Sequence, residues 1–168
     1  MNNKGDIASI LIAIIFIFII GVLFLFANKL NAQVYDKFDN YLENKPEYNN
    51  SEAHDTTQKL IVVERPVWDY AFLAIFFGFM IALAFTAYST RISPIFYWIY
   101  AVLSFVAVFL AAILSNLWQE AASNAEFVDT ISNFPMTNLI LGTYYPIIGL
   151  LICIIVMILL FGKPRETP

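Results

Sequence analysis

The chain has 168 residues, 60% of them hydrophobic and only 13% charged, with a mean hydropathy of +0.72. Soluble domains carry about a quarter charged residues. The apolar residues here fall in blocks too long for the faces of a soluble core, which excludes a soluble enzyme and indicates an integral membrane protein. The net charge of −4, with nine Lys and Arg in all, excludes a basic nucleic-acid-binding face.

The first span covers residues 7–27, with no charge between Asp6 and Lys29. One basic residue, Lys4, precedes it. The apolar run is longer than a secretory h-region and Leu30-Asn31-Ala32 is a poor cleavage site, so a retained signal anchor is expected. Lys4-Gly5-Asp6 also looks like a prepilin leader, but Ile10 stands where that pattern has a glutamate. After the span, Leu30, Val34, Phe38, Tyr41, Leu42 and Lys45 recur at helical spacing, with Asn31, Asp36, Lys37, Asp39, Asn40 and Glu43 on the other face. The first helix is therefore predicted to run on to about Asn44, before Pro46. That makes about 38 residues, or ~57 Å, well beyond a ~30 Å hydrocarbon core. Residues 46–58 read as a polar loop with a glycosylation sequon at Asn49-Asn50-Ser51, and Leu60–Val63 as a short extended piece.

The second span, residues 67–88, begins after Pro66 at Trp68, an interface-favouring residue. A tight hairpin at Ser89–Ser93 leads to Ser93-Pro94, an N-cap and first-turn proline for the third span, residues 95–114. Helical periodicity continues past it through Trp118, Ala121, Ala125 and Val128, with Phe127, Ile131 and Phe134 nearby. The third helix is thus expected to outrun the bilayer as far as Asn133-Phe134-Pro135. The fourth span, residues 139–161, contains Pro146, which predicts a kink or a restart after a turn at Gly142-Thr143. Gly162 and Pro164 end it.

The fold class that follows is all-α: a four-transmembrane-helix bundle, 1–168 as a single membrane domain, with helices 1 and 3 extended on one side. Residues 28–66 and 115–137 form an acidic cap in which the two extended stripes bury each other. A small-residue stripe runs down helix two (Ala74, Gly78, Ala82, Thr86) and another down helix three (Ser104, Ala107, Ala111, Ser115). Such stripes let membrane helices approach closely, so these two helices are expected to pack on one another, with Phe72, Phe76 and Phe79 turned towards lipid or a neighbour. The side with short connections holds four basic residues against two acids; the other holds five against eleven. The positive-inside rule then puts both termini on the cytoplasmic or equivalent interior side.

Ionisable groups inside a membrane usually mark a site. Asp69, at the start of the second span, sits at an interface, where hydration or a helix N-terminus stabilises it; no other Asp, Glu, Lys, Arg or His lies within the four spans. His54 is the single histidine, so no four-ligand zinc site is supported, and Cys153 cannot form an internal disulfide. Ser104 and Ser115 lack a histidine partner for nucleophilic catalysis. Glu120, Glu126 and Asp129 read as a solvated acidic face. No catalytic residue, cofactor or metal is expected. The expected partners are the lipid bilayer and other protein subunits, in a homo- or hetero-oligomer. Leu30, Val34, Phe38, Tyr41, Leu42, Trp118, Phe127 and Ile131 are the candidate contacts.

The uncleaved start Lys4-Gly5-Asp6-Ile7, the Asn133-Phe134-Pro135 break and the short basic end Gly162-Lys163-Pro164-Arg165 resemble the small multi-span proteins in the internal membrane of tailless icosahedral viruses. The resemblance is architectural and implies a virion structural protein that fills or curves the membrane and links it to the capsid. Two other classes fit: a holin-like pore former, and an accessory subunit of a cellular membrane complex.

Overall fold

Lipid offers the backbone no hydrogen bonds, so each uncharged run must satisfy its own peptide groups as a helix. The computed structural model describes residues 6–43, 52–90, 93 and 96–162. In chain order they form α1 (Asp6–Glu43), α2 (Glu52–Ser89), α3 (Tyr97–Ser123), the short α4 (Val128–Ile131) and α5 (Pro135–Asn138), a π-helical turn (Leu139–Tyr144) and α6 (Tyr145–Phe161). No strand occurs among the described residues. Ile10–Leu42, Pro66–Ser89, Tyr97–Ser123 and Pro135–Phe161 are long and apolar enough to cross a membrane. The chain is a multi-pass, all-α membrane protein, as its four apolar runs predict.

The helices form a ring of neighbours in the order α1, α2, α6, α3. α1 and α2 run antiparallel, with Phe16 against Phe79 at 5.3 Å between ring centroids and Phe24 against Trp68 at 5.4 Å. α3 and α6 also run antiparallel, with Tyr97 edge-on to Phe161 at 5.5 Å. Helices consecutive in sequence are usually adjacent in space, yet α2 and α3 stand across the bundle from each other. The expected seam between their stripes is therefore absent.

The reason is visible in which face of α2 turns inward. Phe72 and Phe76 are buried, stacked at 6.2 Å, so of the two placements expected for them, lipid or a neighbour, they take the second. They fill the core because α1 makes room for them. A Cβ at Gly21 would lie 3.3 Å from Phe72 and would overlap the Leu141 side chain. Burial of large rings is worth more than burial of alanines, and it leaves Ala74, Gly78, Ala82 and Thr86 exposed on the outside.

Three boundaries also differ from the sequence reading. α1 is 38 residues long as expected, but the second long helix is α2, also 38 residues, and not α3. Residues 52–65, expected to hold loop and an extended piece, are helical, and Pro66 lies inside α2 rather than before it. Helix three stops at Ser123, ten residues short of the expected end at Asn133. Asn124 is extended there, at φ −69° and ψ 131°, and its Oδ1 accepts the Glu126 N–H at 2.9 Å. This Asx turn offers the backbone an alternative to the helix ladder. The sequon, Pro94 and the basic residues Lys4, Lys45, Arg91, Lys163 and Arg165 lie outside the described residues. Phe96, not Ser93, is the residue preceding α3, and its N–H donates to the Ser93 carbonyl at 3.0 Å.

Candidate functional site

The polar groups of the bundle gather where the fourth span begins. Pro135 occupies the first position of that helix, where its missing N–H costs nothing. The next two N–H groups, of Met136 and Thr137, have no intrahelical partner. Phe134, the residue in the capping position, has no side-chain acceptor to give them. Asp69 of α2 supplies it from outside. Its Oδ1 accepts the Thr137 N–H at 2.8 Å and the Thr137 hydroxyl at 2.6 Å, and its Oδ2 accepts the Met136 N–H at 3.0 Å. The carboxylate is buried, as is Thr137. A negative charge at a helix N-terminus is favoured by the helix dipole, and hydrogen bonds to a charged acceptor are the strong ones. The helix terminus that stabilises Asp69 thus belongs to the fourth span, not to its own helix.

Further along the same span, Pro146 leaves a second gap. In an α-helix the Gly142 carbonyl would accept the N–H of residue 146, which proline lacks. The chain stays helical by widening to the π turn Leu139–Tyr144, and α3 provides replacement donors. The Ser115 hydroxyl and the Gln119 side-chain amide both donate to the Gly142 oxygen. The expected break at Gly142-Thr143 is therefore a π turn held from the side. Neighbouring side chains commonly satisfy carbonyls freed by proline in membrane helices. Trp118, between Ser115 and Gln119, donates its indole N–H to Asn138 Oδ1 at 2.9 Å. Its ring lies 3.3 Å from where a Gly142 Cβ would be and 3.6 Å from that of Gly21. Two further bonds cross the core: the Tyr145 hydroxyl donates to the Ile14 carbonyl, and the Tyr100 hydroxyl to the Cys153 carbonyl at 3.0 Å.

Just outside this layer the segment between α3 and α4 folds onto α1. Lys29 Nζ lies 3.1 Å from Glu126 Oε2 and 4.2 Å from the centre of the Phe127 ring. Phe26 meets the same ring edge-on at 5.2 Å.

The candidate residues divide sharply. Ala107, Ala111 and Ser115 are buried and Ser104 is half-buried, but their partners are α6 and α1. A Cβ on Gly149 would be 3.4 Å from that of Ala111 and 3.9 Å from Ile14. On α2, nothing lies within 4 Å of a Gly78 Cβ. Thr86 turns its hydroxyl back to the Ala82 carbonyl at 2.9 Å. Of the contact candidates, Trp118 and Ile131 are core residues, and Phe127 is half-buried under Lys29. Trp118 and Ile131 are buried within this chain's own packing. Leu30, Val34 and Phe38 are 61%, 63% and 51% exposed, so the expected mutual burial of the two extended stripes does not occur. Tyr41 is exposed and Leu42 half-buried.

Asp69, Thr137, Gln119, Asn138 and Tyr145 escape sequence reasoning as members of one site. The one legible signal is Pro146, which marks residue 142 as a carbonyl in need of a donor. Among the described residues no three His, Cys, Asp or Glu side chains are grouped to hold a metal ion. What the cluster does chemically is join helices: the carboxylate of Asp69 and the carbonyl of Gly142 each receive donors from another helix. Comparison with protein families, curated proteins and solved structures returns no match.

Proposed function

We propose that this membrane protein is a structural or assembly subunit of a larger membrane complex, working by contact rather than by catalysis. The observation that supports it is the exposed Leu30, Val34 and Phe38 ridge on α1. Helix α1 is unbroken from Asp6 to Glu43, so this ridge stands off the end of a membrane span and cannot lie flat in the interface as a monotopic helix does. Its place is against another subunit. The polar layer serves the same end: it fixes the fourth span to α2 and α3 and makes the bundle a rigid base. The distribution of basic residues supports a topology with both termini on the cytoplasmic or equivalent interior side, and the setting proposed for it is a virion internal membrane.

The test is to isolate the full chain in mild detergent from the membranes of its native source and measure the mass of the particle that carries it. The reading expects an assembly far larger than one 19.1 kDa chain, which Val34→Glu and Phe38→Glu dissociate without unfolding the bundle. Recovery of the unaltered chain as a monomer contradicts it. Collapse of the membrane potential on induced expression would favour the pore former instead. Co-purification with membrane-containing particles would support the virion setting, and absence from them would remove it.

A further inference from the structure

Most of the bundle's outer surface is built from large side chains standing in the lipid, among them Phe105, Phe109 and Ile113 on α3 and Ile154, Ile155 and Ile158 on α6. Between those two helices the surface is interrupted. A groove of about 220 Å³ runs between α3 and α6, lined by Tyr97, Ala101, Ser104, Val108, Leu150 and Cys153 among others. An apolar cavity of about 150 Å³ is enough to hold a benzene molecule, so this one is large on the scale of side-chain voids.

We infer that the groove seats one acyl chain of a membrane phospholipid, held more tightly than the lipids that merely surround the protein. The inference rests on the chain's being a membrane protein and is independent of which complex it serves. Three observations carry it. First, the groove is continuous with the lipid-facing surface: Phe105, Leu150 and Ile154 line it and are also exposed on that surface. Second, its length matches. From Tyr97 to Val108 is 11 residues of helix, ~16 Å at 1.5 Å per residue, which is about half of a 30 Å hydrocarbon core and so one leaflet. Third, its outer end is lined by Tyr97, whose ring meets that of the exposed Trp98 at 5.8 Å between centroids. Such residues sit at the level of the lipid headgroups. The groove therefore starts at one interface and ends near the midplane, the path of a single acyl chain. A second protein helix, about 10 Å across with its side chains, is a poor fit to a slot of this volume.

On the α3 side the groove is lined by the small residues Ala101 and Ser104, while Ala107 and Ala111 are buried in the seam. Filling it from α3 should therefore expel the lipid. The experiment is native mass spectrometry of the full chain extracted from palmitoyl-oleoyl phosphatidylcholine bilayers. The inference expects one phospholipid per chain to survive the collision energy that strips the rest. Ala101→Phe and, separately, Val108→Phe should each lower the fraction of chains retaining it about tenfold, roughly 1.4 kcal/mol of binding. Ile155→Phe, on the lipid face outside the groove, should leave it unchanged. Circular dichroism of each variant separates loss of lipid from loss of fold, and two independent positions guard against one failing to fold. The inference is overturned if no lipid outlasts the others, if both folded groove variants retain it as the unaltered chain does, or if the groove proves to be covered by a second copy in a dimer that carries no lipid.

Discussion

Two stripes of small residues, alike in spacing, meet opposite fates. On α3, Ala107, Ala111 and Ser115 are sealed in the core; on α2, Ala74, Gly78, Ala82 and Thr86 lie exposed. The difference is set by their neighbours. The α3 stripe faces Gly142 and Gly149 of the fourth span, so small meets small and the backbones close up, with Ser115 reaching a carbonyl. The opposite face of α2 carries the buried Phe72 and Phe76, and the Phe72 ring lies against the space that Gly21 leaves open on α1. A small-xxx-small pattern therefore marks a face where close approach is allowed, and the competing bulk on the other face decides whether it is used.

The sharpest break of this comparison is steric. Gly149→Leu or Ala111→Leu should lower stability by about 3 kcal/mol, the upper range for overpacking a close-packed core. Gly78→Leu or Ala82→Leu should stay within about 0.5 kcal/mol, as substitutions away from packed features do. Reversible unfolding in mixed micelles reads both. Equal losses on the two stripes would mean that α2 buries its small face as well.

Next in size is the cap. Asp69→Ala removes the acceptor of three hydrogen bonds from Met136 and Thr137 and should cost about 2 kcal/mol, within the range for bonds to a charged group. Asp69→Asn keeps an acceptor and should cost less. Hydrogen exchange localises the effect: the amides of Met136 and Thr137 should lose protection before those of α1. The π turn comes third. Ser115→Ala and Gln119→Ala should each cost about 0.6 kcal/mol, the average for hydrogen bonds between membrane helices. Together they leave the Gly142 carbonyl without side-chain donors, so the double variant should cost more than the sum. An additive double variant would mean that water or the backbone relieves the carbonyl. Smallest is the Lys29–Glu126 contact, where Glu126→Gln should change stability by no more than about 0.5 kcal/mol, because the Glu126 side chain is 73% exposed.

How much of this was legible in the sequence differs by level. Each span announces itself as an uncharged run, because a bilayer accepts little else. The extension of α1 is equally readable, since Leu30, Val34 and Phe38 keep the helical period. The end of α3 was not, because apolar residues at Phe127, Val128 and Ile131 keep a helical rhythm across the Asn124 turn, and period alone does not register one side chain capturing a backbone N–H. Nor was the helical start of α2, where Pro66 and the β-branched residues before it suggest a boundary. The candidate site was the least legible part. Asp69 and Thr137 are 68 positions apart, and their meeting depends on the order of helices around the bundle. The short α2–α3 connection suggested the wrong order, because a short connection in sequence does not by itself make two helices neighbours in the ring.

That order is the central claim, and disulfide trapping tests it most directly. In a Cys153→Ala background, cysteines at positions 111 and 149 have Cβ atoms about 3.4 Å apart, close to the separation a disulfide needs. The account predicts that this α3–α6 pair cross-links within one chain on mild oxidation, while a pair at positions 78 and 107, joining the two stripes of α2 and α3, does not. Efficient intramolecular cross-linking of the 78–107 pair, with none at 111–149, would contradict it.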